Sequence, residues 1–572
     1  MLQRLAWGNL FKVVAVAAIL VVVAYFMAKA DVLRADSYSD RLSGNLLQAI
    51  TSPFQDNQAQ QLVTVAYLDE AGLDWLDKNR NWKRWPPTYA NNAEMLRDIY
   101  YAGEPPPRAI FLDFQYLLKG TDPAGFTAFE NQVAQITKAK VWGTGRQSIC
   151  ASDSLIKLAC IVVAKGAPVI IAGAPRSLGD IAYDGQEALD AVAVVASVEI
   201  RTDGGYPLDE TPAPLMLAAY CVNGPDGGLA ACQPFRRLKD ATAKALAGDS
   251  NALKSLSGLA DEARARYPRI LRLQWSAMPH AGQNALNAAI GSKLPPCQYD
   301  LTRTPEPLRL LARLGVAFDQ AARVATAGGP DVDEGPPSKI ACPHALSTPY
   351  PAVTGALLPD DLRRQAFNDK LVLVGGYFHA SNDWLATPLH GQTPGVQGHA
   401  TALDNLLEAA LLDREHYASL TDEASDQAEG LEAGLLFVLM VISGVRRLHL
   451  NGLTHERMVG RDEARLRLRL FALYGVGELG LVAGFVLIGF KVYDGLPINW
   501  LGVTATALAW TIIRDHRRIT DDLRLTAGRG PLRFVLVWGA RIRRWPSLDS
   551  RLLFRDQTTP PPTPLPIEEN AA

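Results

Sequence analysis

The stretch Lys370-Leu-Val-Leu-Val-Gly375, with the helical run from His399 to Leu412 that follows it, decides the fold. A short unbroken aliphatic run closed by glycine predicts a strand buried on both faces. Strands of that kind belong to parallel sheets, where crossover helices cover both sides. The preceding sequence repeats the alternation. Gln61 to Leu68 (QLVTVAYL), Arg108 to Phe114 (RAIFLDF), Lys140 to Trp142 and Pro168 to Ile171 predict strands. Ala90 to Tyr101, with Met95, Leu96 and Ile99 on one face, Phe126 to Ala139 and Ser154 to Lys165 predict helices between them. Short strands separated by helices define an α/β domain with a mainly parallel sheet and flanking helices. Between the two blocks, residues 200–360 are rich in Pro and Gly, as in Gly224-Pro-Asp-Gly-Gly228 and Gly328-Gly-Pro330. They predict inserted loops and peripheral elements with a few short helical stretches such as Thr242 to Leu246.

Outside this block the chain becomes apolar. Leu10 to Met27 is almost wholly aliphatic, and Leu431 to Val445, Leu470 to Phe490 and Leu496 to Ile513 are further apolar runs. A helix of about 20 such residues crosses the hydrocarbon core of a bilayer. Seven arginines (446, 447, 457, 461, 465, 467, 469) lie between the second and third runs, and Arg514, Arg517 and Arg518 follow the fourth. The positive-inside rule then puts both termini in the cytoplasm and residues 31–430 outside. A cleaved signal peptide ending at Ala28-Lys29-Ala30 is the competing reading, but the apolar run is long for one, and Lys29 and Arg34 flank the cut.

The domain plan is therefore a transmembrane anchor at 1–30, a periplasmic domain at 31–430, three transmembrane helices at 431–513 with an arginine-rich loop at 446–469, and a cytoplasmic tail at 514–572. The host membrane is read as a bacterial inner membrane. The chain of 572 residues carries 57 Lys and Arg against 59 Asp and Glu, and the outer segment 31–445 alone carries about −12. An acidic domain of this kind lacks the electrostatic term that drives nucleic-acid binding, so nucleic acid is excluded as a partner. All six cysteines, Cys150, Cys160, Cys221, Cys232, Cys297 and Cys342, fall in the outer segment. An oxidising exterior makes them disulfide candidates whose pairing stays open, with nearest neighbours closing loops of modest length.

The residues at the predicted strand ends carry a resemblance. Tyr67-Leu68-Asp69-Glu70, Trp85-Pro-Pro-Thr-Tyr-Ala90, Phe111-Leu-Asp-Phe114, Thr387-Pro388, Pro394-Gly-Val-Gln-Gly-His-Ala400 and Asp404-Asn-Leu-Leu407 resemble the second class of CHASE domain. The resemblance spans about 31–430, and the one-plus-three helix layout is similar to that family's. It implies an extracytoplasmic sensor, usually followed by a nucleotide cyclase or kinase. Only 59 residues follow Ile513, and they carry no catalytic signature of that sort. The expected output is therefore a separate cytoplasmic or membrane effector, and no enzymatic activity is expected of the chain itself.

Asp69, Asp113, His379, Asp383, His399 and Asp404 are the candidate ligand-binding residues, since α/β sheets hold ligands at strand ends. No metal, cofactor or catalytic residue is expected, although a hydrolase using His379 and His399 is a third reading after a sensor and a structural docking subunit. Gly475-Val-Gly-Glu-Leu-Gly480 has the GxGxxG spacing but lies in an apolar run with no strand before it, so it is not a dinucleotide loop. Gly480 and Gly484 suit close helix approach. Glu478 sits inside that run, where an ionisable group needs a partner, and is a candidate intramembrane contact toward Thr504 or Thr506 of the fourth run or an arginine of a partner. Pro531 to Trp545 suits an interfacial amphipathic helix, and Thr558 to Pro566 an extended end. The expected partners are membrane lipid, an unknown periplasmic ligand or protein, the effector, and a second copy of the chain.

Overall fold

The computed structural model describes residues 58–82, 87–114, 122–138, 154–173, 194–196, 205–208, 211–224, 229–265, 269–276, 280–291, 343–355, 357–377, 384–387, 391–412, 422–453 and 469–478, with isolated positions between them. The chain divides into two compact units: residues 27–433 with 485–502, and residues 1–26 with 434–484 and 503–572.

The first unit is built on a six-stranded sheet. Its strands are β1 (Val63–Leu68), β2 (Ala109–Asp113), β3 (Val169–Ala172), β4 (Val194–Ala196), β7 (Leu346–Pro349) and β8 (Leu371–Gly376), in the order β4-β3-β2-β8-β1-β7. Every pairing in it is parallel. Two antiparallel pairs lie apart from it, β5 (Gly205–Pro207) with β6 (Ile270–Arg272), and β9 (Trp384–Thr387) with β10 (Gly391–Pro394). The helices are α1 (Glu70–Arg80), α2 (Tyr89–Ala102), α3 (Pro123–Thr137), α4 (Ser154–Val163), α5 (Pro212–Asn223), α6 (Gln233–Leu246), α7 (Ser250–Arg264), α8 (Gln283–Ala289), α9 (Tyr350–Val353), α10 (Asp360–Phe367), α11 (Gly395–Leu411) and α12 (Asp422–Leu453).

Strand side chains alternate between two buried faces, as expected of a sheet covered on both sides. Val63 and Val65 of β1, Phe111 of β2, Ile170 of β3 and Leu371 and Leu373 of β8 pack in one cluster with α4, α5, α6, α7 and α11. Their sequence neighbours Ala66, Leu68, Ile110, Leu112, Ile171, Val372 and Val374 pack in the other, with α1, α2, α3, α9 and α10. The stretch 370–375 is thus the centre of the domain, since β8 pairs with β1 on one side and β2 on the other.

The helix starts follow local chemistry. Asp69, Thr88, Asp122 and Asp249 each accept a backbone N–H from the first turn of the helix that follows. Each satisfies one of the donors a helix start leaves open. The described parts of residues 200–360 hold more regular structure than the sequence predicts. They form α5, α6 and α7, whose Met216, Tyr220, Phe235 and Leu238 enter the core, and β7, which completes the main sheet. These elements belong to the core and to the main sheet, so the stretch is not wholly peripheral. Strand 140–142 lies outside the described residues.

Of the apolar runs, 10–27 falls outside the described residues except for positions 14 and 15, and 496–513 falls wholly outside. Residues 431–445 lie within α12, which stays helical through Arg446 to Leu453, beyond the predicted end. Among the described residues no helix is long and apolar enough to cross a membrane.

Candidate functional site

Neighbouring strands β1 and β8 send the chain to opposite faces. β1 leads into α1 and α2 on one side, while β8 leads, through the β9–β10 pair, into α11 on the other. Such a reversal opens a crevice outside the carboxyl ends of the strands. Asp69 and Asp113 stand at that edge, one directly after β1 and the other ending β2, and Asp113 lies in register with Gly375. Asp69 is engaged locally: its Oδ1 accepts the Gly72 N–H at 2.7 Å, which makes it the cap of α1. The aromatic rings of Tyr67 and Tyr377 lie 4.6 Å apart at the same edge, and Trp384 packs edge-on against Tyr377. His379 and Asp383 lie outside the described residues.

The other two candidates are elsewhere, because α11 runs back along the sheet. Val396, in its first turn, covers Gly375 near the carboxyl edge, whereas Asp404, nine residues after the helix start, lies by His344, just ahead of β7. His399 is therefore buried midway, edge-on to Phe111 and Tyr206. Its Nδ1 is 2.7 Å from the Tyr206 hydroxyl. Burial holds this imidazole neutral, with its pKa pushed down to about 3, and a neutral ring accepts the hydroxyl proton at Nδ1. The same burial pushes the Tyr206 hydroxyl up. His399 is a core histidine with a hydrogen-bond partner, and the four described candidates, Asp69, Asp113, His399 and Asp404, do not fall in one site.

What it brings together at the amino edge is a polar cluster around His344, a residue that sequence reasoning missed. His344 Nε2 is 2.8 Å from Asp404 Oδ2, with both side chains almost fully buried at 6% and 4% exposure. On the other side of the ring, Nδ1 is 3.2 Å from the Met278 carbonyl. The Gln60 side-chain amide donates to the carbonyls of Met278, at 3.1 Å, and His344, at 2.5 Å. Burial alone would lower the His344 pKa, but the Asp404 carboxylate, the Met278 carbonyl and Glu408 outweigh it and raise it. His280, nearby, is held neutral: burial, and then the charges of Lys370 and His344, push it down to about 4. Its Nδ1 accepts the Gly282 N–H at 3.0 Å. The only sequence signal for this cluster is the stripe Gln397, Thr401, Asp404, Glu408 on an otherwise apolar helix. Helical spacing of three and four puts these on one face, and all four are buried.

Among the described residues there is no group of three or more His, Cys, Asp and Glu that could hold a metal ion. Cys221 and Cys232 form a disulfide at a sequence separation of 11. Cys160 is also disulfide-bonded, and Cys150, Cys297 and Cys342 lie outside the described residues.

In the second unit, Glu478 meets an arginine of its own chain. Arg446 of α12 is buried and lies 3.1 Å from Glu478 Oε1, with its guanidinium 4.6 Å from the Phe471 ring centre and 3.3 Å from Ser443 Oγ. Ion pairing and cation–π contact together hold this charge away from water.

The fold and its edges define an open parallel α/β domain of the kind that takes ligands at a strand-order reversal. The CHASE2 domain family matches residues 16–444, three quarters of the chain, and the protein belongs to that family. CHASE2 is a family of extracellular sensory domains. No curated protein and no solved structure matches the chain.

Proposed function

We propose that this protein is a membrane-bound extracytoplasmic sensor, with residues 31–430 in the periplasm of a bacterium, anchored by the apolar runs at 10–27, 431–445, 470–490 and 496–513. A ligand or protein bound outside shifts helix packing, and a separate effector reads the shift on the cytoplasmic side at the arginine-rich segment 446–469 and the tail 514–572. The observation that carries the reading is the family match, which covers the whole α/β domain. Ligand contact is assigned to the carboxyl-edge crevice, where Asp113, Tyr67 and Tyr377 lie together and His379 and Asp383 follow β8 in sequence.

Membrane placement draws support from the second unit. Its exposed large side chains include Leu473 at 66% and Val476 at 67%, with Val438 and Leu466 also exposed, while the charge of Arg446 is turned inward to Glu478. Apolar side chains outward and paired charges inward are what a lipid surround favours.

The test is purification of the full chain from membranes in mild detergent, beside a version lacking residues 514–572, with mass spectrometry of what accompanies each. A catalytic protein lost with the tail supports the sensor. Envelope proteins kept without the tail would make the chain a structural subunit instead.

A further inference from the structure

The main sheet ends at β7, which pairs with β1 on one side and beyond which no further strand lies among the described residues. An edge strand offers backbone N–H and C=O groups to any strand that arrives, a second copy of the same chain included. In β7 those groups are already engaged. The Ser347 N–H donates to Gln283 Oε1 at 2.8 Å, and Gln283 Nε2 donates to the Ser347 carbonyl, also at 2.8 Å. Two facing residues of antiparallel strands exchange bonds in the same way. A side-chain amide carries the donor and acceptor of a peptide group, so Gln283 stands where the backbone of a next strand would lie.

The amide is held in one orientation. Gln283 Nε2 also donates to Asn287 Oδ1 at 2.9 Å, one turn further along α8, so turning the amide over would set like groups against each other at all three contacts. Gln283 and Ser347 are each 3% exposed. The start of α8 is itself tied to the chain just ahead of β7: the His280 N–H donates to the Pro343 carbonyl at 3.3 Å, and the Gln283 N–H to the His280 carbonyl at 3.0 Å. The rest of the edge offers little. Ser347 Oγ donates to the Ala345 carbonyl at 3.0 Å and accepts from Gln397 Nε2 at 2.8 Å. Strand residues turn their backbone groups to alternate sides, so Pro349 faces the same way as Ser347, and it has no N–H to give.

We propose that Gln283 is an edge guard: its amide closes β7 against pairing with the sheet of a second copy, and leaves association between copies to surfaces other than this edge. One side chain suffices. Of the four residues of β7, Ser347 and Pro349 face the edge, and Ser347 alone offers a donor there. A residue needed only to seat α8 could be apolar and would avoid the cost of burying an amide. The amide is required where a backbone donor and acceptor are to be closed together. This goes beyond the sensor reading and stands independently of it.

The test uses the full chain in mild detergent as wild type, Gln283→Met, and Gln283→Met combined with Ser347→Pro. Sedimentation follows mass against concentration, and hydrogen exchange at single-residue resolution follows the Ser347 amide. Methionine fills the space of glutamine without an amide. The wild-type Ser347 amide is expected to be protected to the same degree in dilute and concentrated samples. Gln283→Met should lower that protection about tenfold when dilute. It should regain protection as concentration rises, together with mass above the wild-type curve. Adding Ser347→Pro, which an outward-facing edge position tolerates, should abolish the extra mass. A freely exchanging Ser347 amide in wild type overturns the proposal, and that result needs no variant to fold. Mass in Gln283→Met that follows the wild-type curve at every concentration also overturns it, as does extra mass that persists with Ser347→Pro. If Gln283→Met does not fold, Asn287→Ala loosens the amide without removing it, and the same shifts are expected at smaller size. A Ser347 amide and mass unchanged from wild type in that chain overturn the proposal too.

Discussion

Gly375 of β8 and Val396 of α11 touch so closely that a Cβ at Gly375 would lie 2.6 Å from the Val396 Cβ. This contact fixes how near the helix lies to the central strand, and thereby where Gln397, His399 and Asp404 fall along the sheet. Gly375→Ala is expected to cost about 1–3 kcal/mol, the usual range for overpacking a filled core. In a Val396→Gly background the penalty should shrink, because the Cβ and both of its branches are gone. Thermal unfolding of the four chains in this cycle measures the coupling, and an equal penalty in both backgrounds would mean that the strain lies elsewhere.

The Cys221–Cys232 bond closes the end of α5 against the start of α6, with both cysteines buried in the core. A loop of this size is worth about 2–3 kcal/mol in restricted unfolded states. Replacing both cysteines by serine should lower the unfolding midpoint accordingly, and native mass spectrometry in a mild reductant should find this bond intact until the domain opens.

Acid should destabilise the domain through its buried neutral histidines. His399 and His280 have folded-state pKa values of about 3 and about 4, both below that of an unfolded imidazole. Between those values and about pH 6.5 the unfolded chain binds protons that the folded chain does not, so stability rises with pH across that window and is lost as pH falls. Urea midpoints at pH 7 and 5 should therefore differ, and His399→Gln should reduce the difference. A His399→Gln chain as acid-sensitive as wild type would sink this assignment.

Arg446 and Glu478 form a pair whose arginine is almost fully buried. Breaking such a pair costs about 3–5 kcal/mol because it strands a charge, and the partly exposed Glu478 sets the expectation at the lower end. Glu478→Ala should therefore lower the detergent melting temperature clearly, and the exchange Arg446→Glu with Glu478→Arg should recover part of it. Full stability of Glu478→Ala would show that the pair contributes nothing.

Much of the architecture was legible in residue order. The β8 run, the strands around Val65 and Phe111 and the helices α2, α3, α4 and α11 follow from continuous apolar runs and helical periodicity, which are local properties of the chain. Residues 200–360 were harder to read. Gly224 and Gly248 fall between α5, α6 and α7, and a composition count cannot separate a helix punctuated by turns from a loop. β7, only four residues long with a Ser-Thr-Pro end, gives too short a pattern to be recognised without its partner β1.

The six candidate ligand residues were chosen by their nearness to strand ends. For Asp69 and Asp113 the position is right, because a residue next to a strand stays next to it in space. For His399 and Asp404 the direction of α11 matters: a helix returning along the sheet carries its later residues to the opposite edge, about 1.5 Å per residue. Glu478 was expected to need a partner, since an ionisable group in an apolar run demands one. That the partner is Arg446, 32 residues earlier in an arginine-rich segment, depends on which helix faces meet.

By itself, then, the sequence determined the alternation of strands and helices, the parallel sheet, the apolar runs and the family to which the chain belongs. These rest on patterns carried within a few turns of chain. Only the tertiary structure decided that Gln60, His344 and Asp404 form one buried cluster. Their meeting depends on strand order and on the course of α11, and no spacing along the chain encodes contacts between residues 60, 344 and 404.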